Sequence, residues 1–161
     1  MHQDRVPPGY CNYSNIIYEG LGRCPANGIS VELGVYFGQS SYVVDRYLRQ
    51  TDRTSHQHFG IDSWDWTATP EELNKPDKVD GSYIPIQLQD NIRPYKHVMK
   101  NHIIPNGLYE TINFIKADSA KSSELFDDES IDFIFIFSIT LPYLLIKQIV
   151  EFFKFDTQHS I

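Results

Sequence analysis

A short apolar run, a turn bounded by two glycines and an amphipathic segment follow one another between residues 29 and 49. The run Ile29 to Leu33 (ISVEL) is typical of a buried parallel strand. Gly34 and Gly38 bound the turn, where a side chain would block close approach of the backbone. Apolar residues four positions apart then predict a helix with one buried face: Val43 with Tyr47, and Val44 with Leu48. This order of elements opens a nucleotide-type α/β domain.

Similar patterns predict the rest of the domain. Three further strands are expected: His56 to Asp62, Thr111 to Ser119, and a fully buried Ile131 to Phe137. Helical segments are expected between and before the strands: Tyr13 to Leu21, Leu88 to Ile103 with a bend at Pro94, and Ala120 to Phe126. We therefore predict a Rossmann-like, doubly wound, mainly parallel α/β sheet of about four strands. Residues 1–28 would form a lead-in, and residues 29–161 the domain.

Composition narrows the class of protein. The chain has 161 residues, of which 41% are hydrophobic, enough for one folded domain with its own core. A net charge of −7 without a basic run argues against a nucleic-acid partner. Cys11 and Cys24 do not form a disulfide framework or a C-x-x-C site. The first ten residues have no apolar core, so we expect no signal peptide there, and the apolar stretch Phe133 to Ile149 is interrupted by Pro142. We expect a cytoplasmic protein without a membrane partner.

The glycine turn indicates which ligands it can hold. The dinucleotide fingerprint is G-x-G-x-x-G, but Tyr36 stands at its middle glycine and Gln39 at its third. A phosphate would meet the Tyr36 phenol and, nearby, the Glu32 carboxylate, and no P-loop lysine follows the turn. The turn thus suits an adenosine-like ligand that carries no phosphate and tolerates an anion. S-adenosylmethionine, with its sulfonium and ammonium groups, fits that description. Ser40 or Ser41 can cap the following helix.

The second predicted strand carries two groups of residues that could bind a ligand or a metal. Asp62 ends the second strand about 20 residues beyond the turn, a spacing typical of an acid that binds ribose hydroxyls. The alternative is an aspartate that opens a turn, and Trp64 nearby could stack on adenine or simply pack in the core. His56 and His58 alternate along the same strand and share one face. Since no third ligand follows at a recognisable spacing, we expect a surface or strand-edge pair and no metal.

Three motifs, in order, resemble the class I S-adenosylmethionine-dependent methyltransferases, in particular small-molecule and sugar O-methyltransferases. E-x-G-x-x-x-G resembles their motif I, which implies that the turn packs against the methionine part of the cofactor: Glu32, Gly34, Tyr36, Gly38, Gln39 and Ser40. G-I-D-S-W resembles motif II, which implies that Asp62 binds the ribose while Ser63 and Trp64 border adenine. F-I-K-A-D-S resembles the end of their third strand, which implies that Asp118 contacts the adenine amino group and that Ser119 helps through its backbone. The resemblance covers residues 29 to 136.

The resemblance breaks after the fourth predicted strand. Relatives commonly place an aspartate there and a histidine a few residues later, whereas this chain continues as Phe137-Ser-Ile-Thr-Leu-Pro142. No catalytic residue can therefore be assigned. The family normally continues with three more strands, so we expect a chain truncated at its C-terminus, by a frameshift near Phe137, or a minimal domain. We expect the exposed fourth strand to pair with a second copy of the chain.

Three functions follow as hypotheses. The first is methyl transfer from S-adenosylmethionine to an oxygen or nitrogen of a small-molecule acceptor. The second is a non-catalytic cofactor-binding module or pseudoenzyme that pairs with another chain, because the aspartate and histidine are missing. The third is a nicotinamide-dependent oxidoreductase, against which Tyr36 in the phosphate turn argues.

Overall fold

A computed structural model describes residues 6–7, 11, 13–64, 94–119 and 121–137. Its helices are α1 (Ser14–Arg23), α2 (Gln39–Gln50) and α3 (Pro94–Val98), which continues into a π-helical turn over Met99–Ile103. Its strands are β1 (Ile29–Leu33), β2 (Gln57–Asp62), β3 (Ile112–Lys116) and β4 (Phe133–Ile136). Two 3₁₀ turns, Leu108–Glu110 and Ser122–Leu125, flank β3.

The four strands form one parallel sheet in the order β3-β2-β1-β4. The chain moves from β1 outward to β3 and then places β4 on the other side of β1. Leu33 lies level with both Ile61 of β2 and Ile136 of β4, so the strands end together at one edge. With its flanking helices, the described part of the chain is an incomplete Rossmann-like α/β fold, and the predicted fold class is confirmed.

Both faces of the sheet bury apolar side chains, which explains the continuous apolar runs of the strands. One face is aliphatic and is centred on Val31, Leu33 and Ile61. The opposite face packs against α1 and α2 through a second group of buried side chains: Ile17, Leu21, Val44, Leu48 and Ile112. Because α1 supplies two of these residues, the segment before β1 contributes directly to the core.

A third buried cluster lies beside the glycine turn. It joins the turn and the end of β2 to α3 and to the segment that leads into β3: Val35, Phe37, Trp64, Val98, Ile103 and Leu108. This cluster fixes α3 and the π-helical turn against the glycine turn, so the elements around the predicted site share one apolar core.

Several expectations need correction. The N-cap of α2 is Gly38 in the left-handed region, without a side-chain cap, so the predicted capping by Ser40 or Ser41 is wrong. Both hydroxyls instead donate to Glu32. Every residue of β4 is partly exposed, not fully buried, because β4 is an edge strand among the described residues. The helix predicted from Ala120 is a short 3₁₀ turn.

Other expectations lie outside the described residues. The predicted helix from Leu88 is described only from Pro94 onward, and the residues after Phe137, on which the predicted truncation depends, are not described. None of the described helices is both long enough and apolar enough to cross a membrane.

We predict that Gly34→Ala destabilises the protein by about 3 kcal/mol or more. Gly34 has φ +91°, and a Cβ atom there would overlap the backbone carbonyl of Phe137, which cannot move without breaking β4 from β1. Urea unfolding of both proteins measures the difference in the free energy of unfolding.

The matched control is Gly22→Ala. Gly22 is an exposed residue of α1, and the nearest atom to an added Cβ is the Tyr47 hydroxyl at 3.2 Å. Its free energy of unfolding should change by no more than about 1 kcal/mol. Equal stability of Gly34→Ala and the wild type would contradict the strain assigned to the turn.

Candidate functional site

The glycine turn connects the end of β1 to the start of α2 through three residues with positive φ. Gly34, Tyr36 and Gly38 have φ of 91°, 54° and 92°. Gly38 packs closely on the π-helical turn, since an added Cβ would lie 2.8 Å from Ile103 Cδ1. The two predicted glycines are therefore required by backbone conformation and by close packing within the chain.

Asp62 ties the end of β2 to this turn. Its Oδ2 accepts the backbone N–H of Tyr36 at 2.8 Å, and its Oδ1 accepts that of Trp64 at 2.7 Å. Burial raises the pKa of the Asp62 carboxyl, while the amides of Tyr36, Trp64 and Val35 act to lower it. Since a carboxylate has about four acceptor positions, this half-buried group can accept one more donor, such as a hydroxyl.

Glu32 is completely buried at the end of β1. Its Oε1 accepts the Ser40 hydroxyl, and its Oε2 accepts the Ser41 hydroxyl at 2.6 Å. Both oxygens are thus bonded within the protein, beneath the first turn of α2. The predicted role in cofactor binding stays a prediction, and in this structure it would act through the charge of Glu32 rather than through direct contact.

Trp64 and Gln39 also make contacts within the protein. The Trp64 indole is 1% exposed, donates its N–H to the Tyr36 carbonyl at 3.0 Å and lies 5.0 Å from the Tyr95 ring centroid. The structure gives this residue a packing role, so its contact with adenine stays a prediction. Gln39 Oε1 accepts the Cys11 backbone N–H at 2.5 Å. Ser63 is half-buried.

Asp118 and Ser119 follow β3 at the same edge. The Ala117 amide donates to the Asp62 carbonyl at 3.1 Å, which sets this segment beside the end of β2. The Asp118 side chain is exposed, and its carbonyl accepts the Ser122 amide at 3.0 Å. The structure therefore brings the glycine turn, Asp62 and Asp118 to one edge of the sheet, as expected from their positions after parallel strands.

His56, which immediately precedes β2, and His58 of β2 lie in a different environment from the one predicted. His56 and His58 do share a face, but they are only 6% and 0% exposed, so the surface interpretation is wrong. Both imidazoles bond the Ser30 hydroxyl, at 2.8 and 2.7 Å. The reason is that β2 is an interior strand. Within the described ranges, no group of three or more His, Cys, Asp or Glu side chains is arranged to hold a metal.

A second histidine pair flanks the glycine turn. The π-helical turn brings the rings of His97 and His102, five residues apart, to a centroid distance of 5.7 Å, and His102 lies edge-on to Phe37 at 5.4 Å. Asn101 Nδ2 contacts His97 Nδ1 at 3.1 Å. Burial lowers the pKa of His97, and it lowers that of His102 to about 4. From the sequence, His97 and His102 are expected to be ordinary helix residues, because α-helical periodicity places residues five apart on different faces.

Comparison with known proteins adds no relative. No model of a known protein family matches this chain, and no curated protein matches it.

We predict that His102 makes the protein more sensitive to acid. Its ordinary pKa is about 6.5, and burial lowers it to about 4 in the folded protein. Between these pH values the unfolded chain binds a proton that the folded protein does not, so stability falls as pH falls. From pH 7 to pH 4.5, wild type should lose about 1–2 kcal/mol more free energy of unfolding than His102→Gln.

Lys100→Gln is the control, since Lys100 is an exposed residue of the same π-helical turn and its replacement leaves His102 in place. It should show the wild-type loss of stability. If His102→Gln loses as much stability as the wild type, burial of His102 does not govern this part of the acid response.

Proposed function

We propose that this protein binds S-adenosylmethionine and transfers its methyl group to an oxygen or nitrogen of a small-molecule acceptor. One observation carries the proposal: the glycine turn, Asp62 and Asp118 lie together at the carboxyl edge of a parallel sheet ordered β3-β2-β1-β4. Ligands of open α/β sheets bind at this edge. The three elements are also those that carry the motif resemblance.

The residues at this edge suit such a ligand in charge and in hydrogen bonding. Asp62 has room for one more hydrogen bond, which a ribose hydroxyl can supply. Asp118 is exposed beside it and can accept from an amino group. Glu32 adds a negative charge beneath the turn, which favours a ligand that carries a sulfonium and an ammonium.

The chemistry divides between the cofactor and the chain. When bound, the cofactor supplies an electrophilic methyl group on its sulfonium. The chain's own contribution is alignment: Asp62 would fix the ribose and the glycine turn would fix the methionine part. Holding two reactants in line removes much of the entropic barrier to such a transfer. We assign no acid or base, since residues 138 onward lie outside the described part of the chain.

A cofactor-binding module without methyl transfer is the second candidate. The observation that favours it is the internal bonding of Glu32 and Trp64. The predicted ligand contacts that keep a half-buried or exposed side chain at the ends of β2 and β3 are then Asp62, Ser63, Asp118 and Ser119. Such a module would bind the cofactor and methylate no acceptor.

We predict that the purified protein binds S-adenosylmethionine in a calorimetric titration and that Asp62→Asn and Asp118→Asn each weaken binding by about 10- to 100-fold. Loss of a hydrogen bond to a charged partner has this magnitude. Asp62→Asn keeps the size of the side chain that holds the turn, and its unfolding curve is recorded in parallel to separate affinity from stability.

Asp128→Asn is the matched control, because Asp128 is exposed before β4, at the opposite edge of the sheet. It removes the same charge and should leave affinity unchanged. Folded wild-type protein that does not bind the cofactor would overturn the proposal. Binding without methyl transfer to any of a panel of hydroxyl and amine acceptors would select the non-catalytic module.

A further inference from the structure

The segment that precedes α1 lies against the glycine turn. The Cys11 amide donates to Oε1 of Gln39, the first residue of α2, at 2.5 Å. The Tyr13 ring lies 5.7 Å from the ring of Phe137, which directly follows β4. Both Cys11 and Tyr13 are half-buried. These two residues therefore lie at the edge of the sheet where β1 and β4 end.

Phe137 connects Tyr13 to the glycine turn. The Phe137 amide donates to the Leu33 carbonyl at 2.7 Å, and a Cβ atom added to Gly34 would lie 1.7 Å from the Phe137 carbonyl oxygen. The ring distance between Tyr13 and Phe137 is that of an aromatic pair in contact. Asp62 approaches the turn from β2, on the opposite side of β1. The turn thus has a carboxylate on one side and two aromatic rings on the other.

The backbone of Tyr13 fixes the position of its ring. The Tyr13 carbonyl accepts the amides of Ile16 and Ile17 at 3.0 and 3.3 Å, so the residue is held at the start of α1. Within the described ranges, the Tyr13 hydroxyl forms no hydrogen bond. A ring that is held in place by its backbone, and whose hydroxyl is not used for internal bonding, is available to a ligand.

The groups around Tyr13 favour a positively charged ligand. Burial raises the pKa of the Tyr13 phenol, and the neighbouring Cys11 and Glu32 raise this pKa further, so the ring is neutral at pH 7. Among the described residues, those that act on Tyr13 include no cation. The face of a neutral aromatic ring attracts cations. A cation beside this ring would therefore be stabilised by both the ring and the negative charge of Glu32.

We propose that Tyr13 is a specificity-determining residue: together with Phe137 it forms an aromatic wall on the β4 side of the glycine turn, which selects a positively charged ligand. The inference rests on the proposed function and deepens it. S-adenosylmethionine carries a sulfonium, whereas S-adenosylhomocysteine lacks the methyl group and the positive charge on sulfur. Since Asp62 and Asp118 follow β2 and β3, the nucleoside would lie on their side of β1 and the sulfonium towards Tyr13.

Calorimetric titrations with both ligands test this role. Tyr13→Leu removes the ring but keeps an apolar side chain. It should weaken binding of S-adenosylmethionine by about 3- to 30-fold, the magnitude of a cation–π contact, and that of S-adenosylhomocysteine by less than about twofold. Tyr13→Phe keeps the ring and should keep the wild-type preference for the charged ligand. A purely structural role of Tyr13 would change both affinities by the same factor.

Tyr18→Leu is the matched control. Tyr18 is another tyrosine of the same region, and its ring lies 5.1 Å from that of Tyr47, near the end of α2. Its replacement should leave both affinities unchanged. Equal losses for the two ligands in Tyr13→Leu, or no loss, would overturn the role of Tyr13 and leave the proposed function in place. Folded wild-type protein that binds neither ligand would overturn both.

A spectrum of the wild type tests the same contact without depending on how Tyr13→Leu folds. In ¹H–¹³C spectra of tyrosine-labelled protein, S-adenosylmethionine should shift the ring resonances of Tyr13 more than S-adenosylhomocysteine does, and those of Tyr18 should not move. The Tyr13 resonances are those missing from the spectrum of Tyr13→Phe. Unshifted Tyr13 resonances in protein saturated with S-adenosylmethionine would contradict the inference.

Discussion

The arrangement of residues at the centre of this molecule depends on one buried carboxylate, that of Glu32, which lies beneath the start of α2. Glu32 is completely buried, and removing a charge from water costs several kcal/mol unless partners replace the lost hydration. Ser40 and Ser41 supply two of those partners, and the positive end of the α2 dipole lies above the same group. The two serines bind Glu32 instead of capping α2, which leaves Gly38 as the N-cap. The two serines in the first turn of α2 therefore stabilise the buried carboxylate and do not cap the helix.

The glycine turn is held from several sides. Asp62 accepts its amides, Gly34 lies against the Phe137 carbonyl, and Gly38 lies against Ile103. A turn fixed in this way has little freedom left to lose when a ligand binds, and such preorganisation favours both affinity and alignment. The same contacts explain why the five-residue turn tolerates a positive φ at Tyr36, since this backbone conformation is strained for a residue other than glycine.

The sequence predicts elements better than it predicts partners. The bounds of β1 and the end of β2 at Asp62 agree with prediction, because apolar periodicity and turn residues are local signals. The burial of His56 and His58 was not predicted, because two polar side chains on one face are typical of a surface and their partner Ser30 lies on another strand.

Two further differences involve contacts between residues far apart in the sequence. The apolar run of β4 predicts two covered faces, whereas burial depends on which strands lie beside it. The π-helical turn that brings His97 and His102 together packs against Phe37, which lies far away in the sequence, and helical periodicity does not predict it. The edge shared by the turn, Asp62 and Asp118 was predictable, since it follows from parallel strands alone.

The strand order also has a consequence for how the chain folds. β1 pairs with β2 soon after it in sequence, but its other neighbour is β4. The hydrogen bond from the Ile29 amide to Asp132 spans 103 residues of chain. Such long-range pairing requires closure of a large loop before any contact repays the lost entropy, which slows folding. During synthesis on the ribosome, the edge of β1 that pairs with β4 therefore stays without its strand partner, and the apolar side chains beside it stay exposed to water, until β4 has been made.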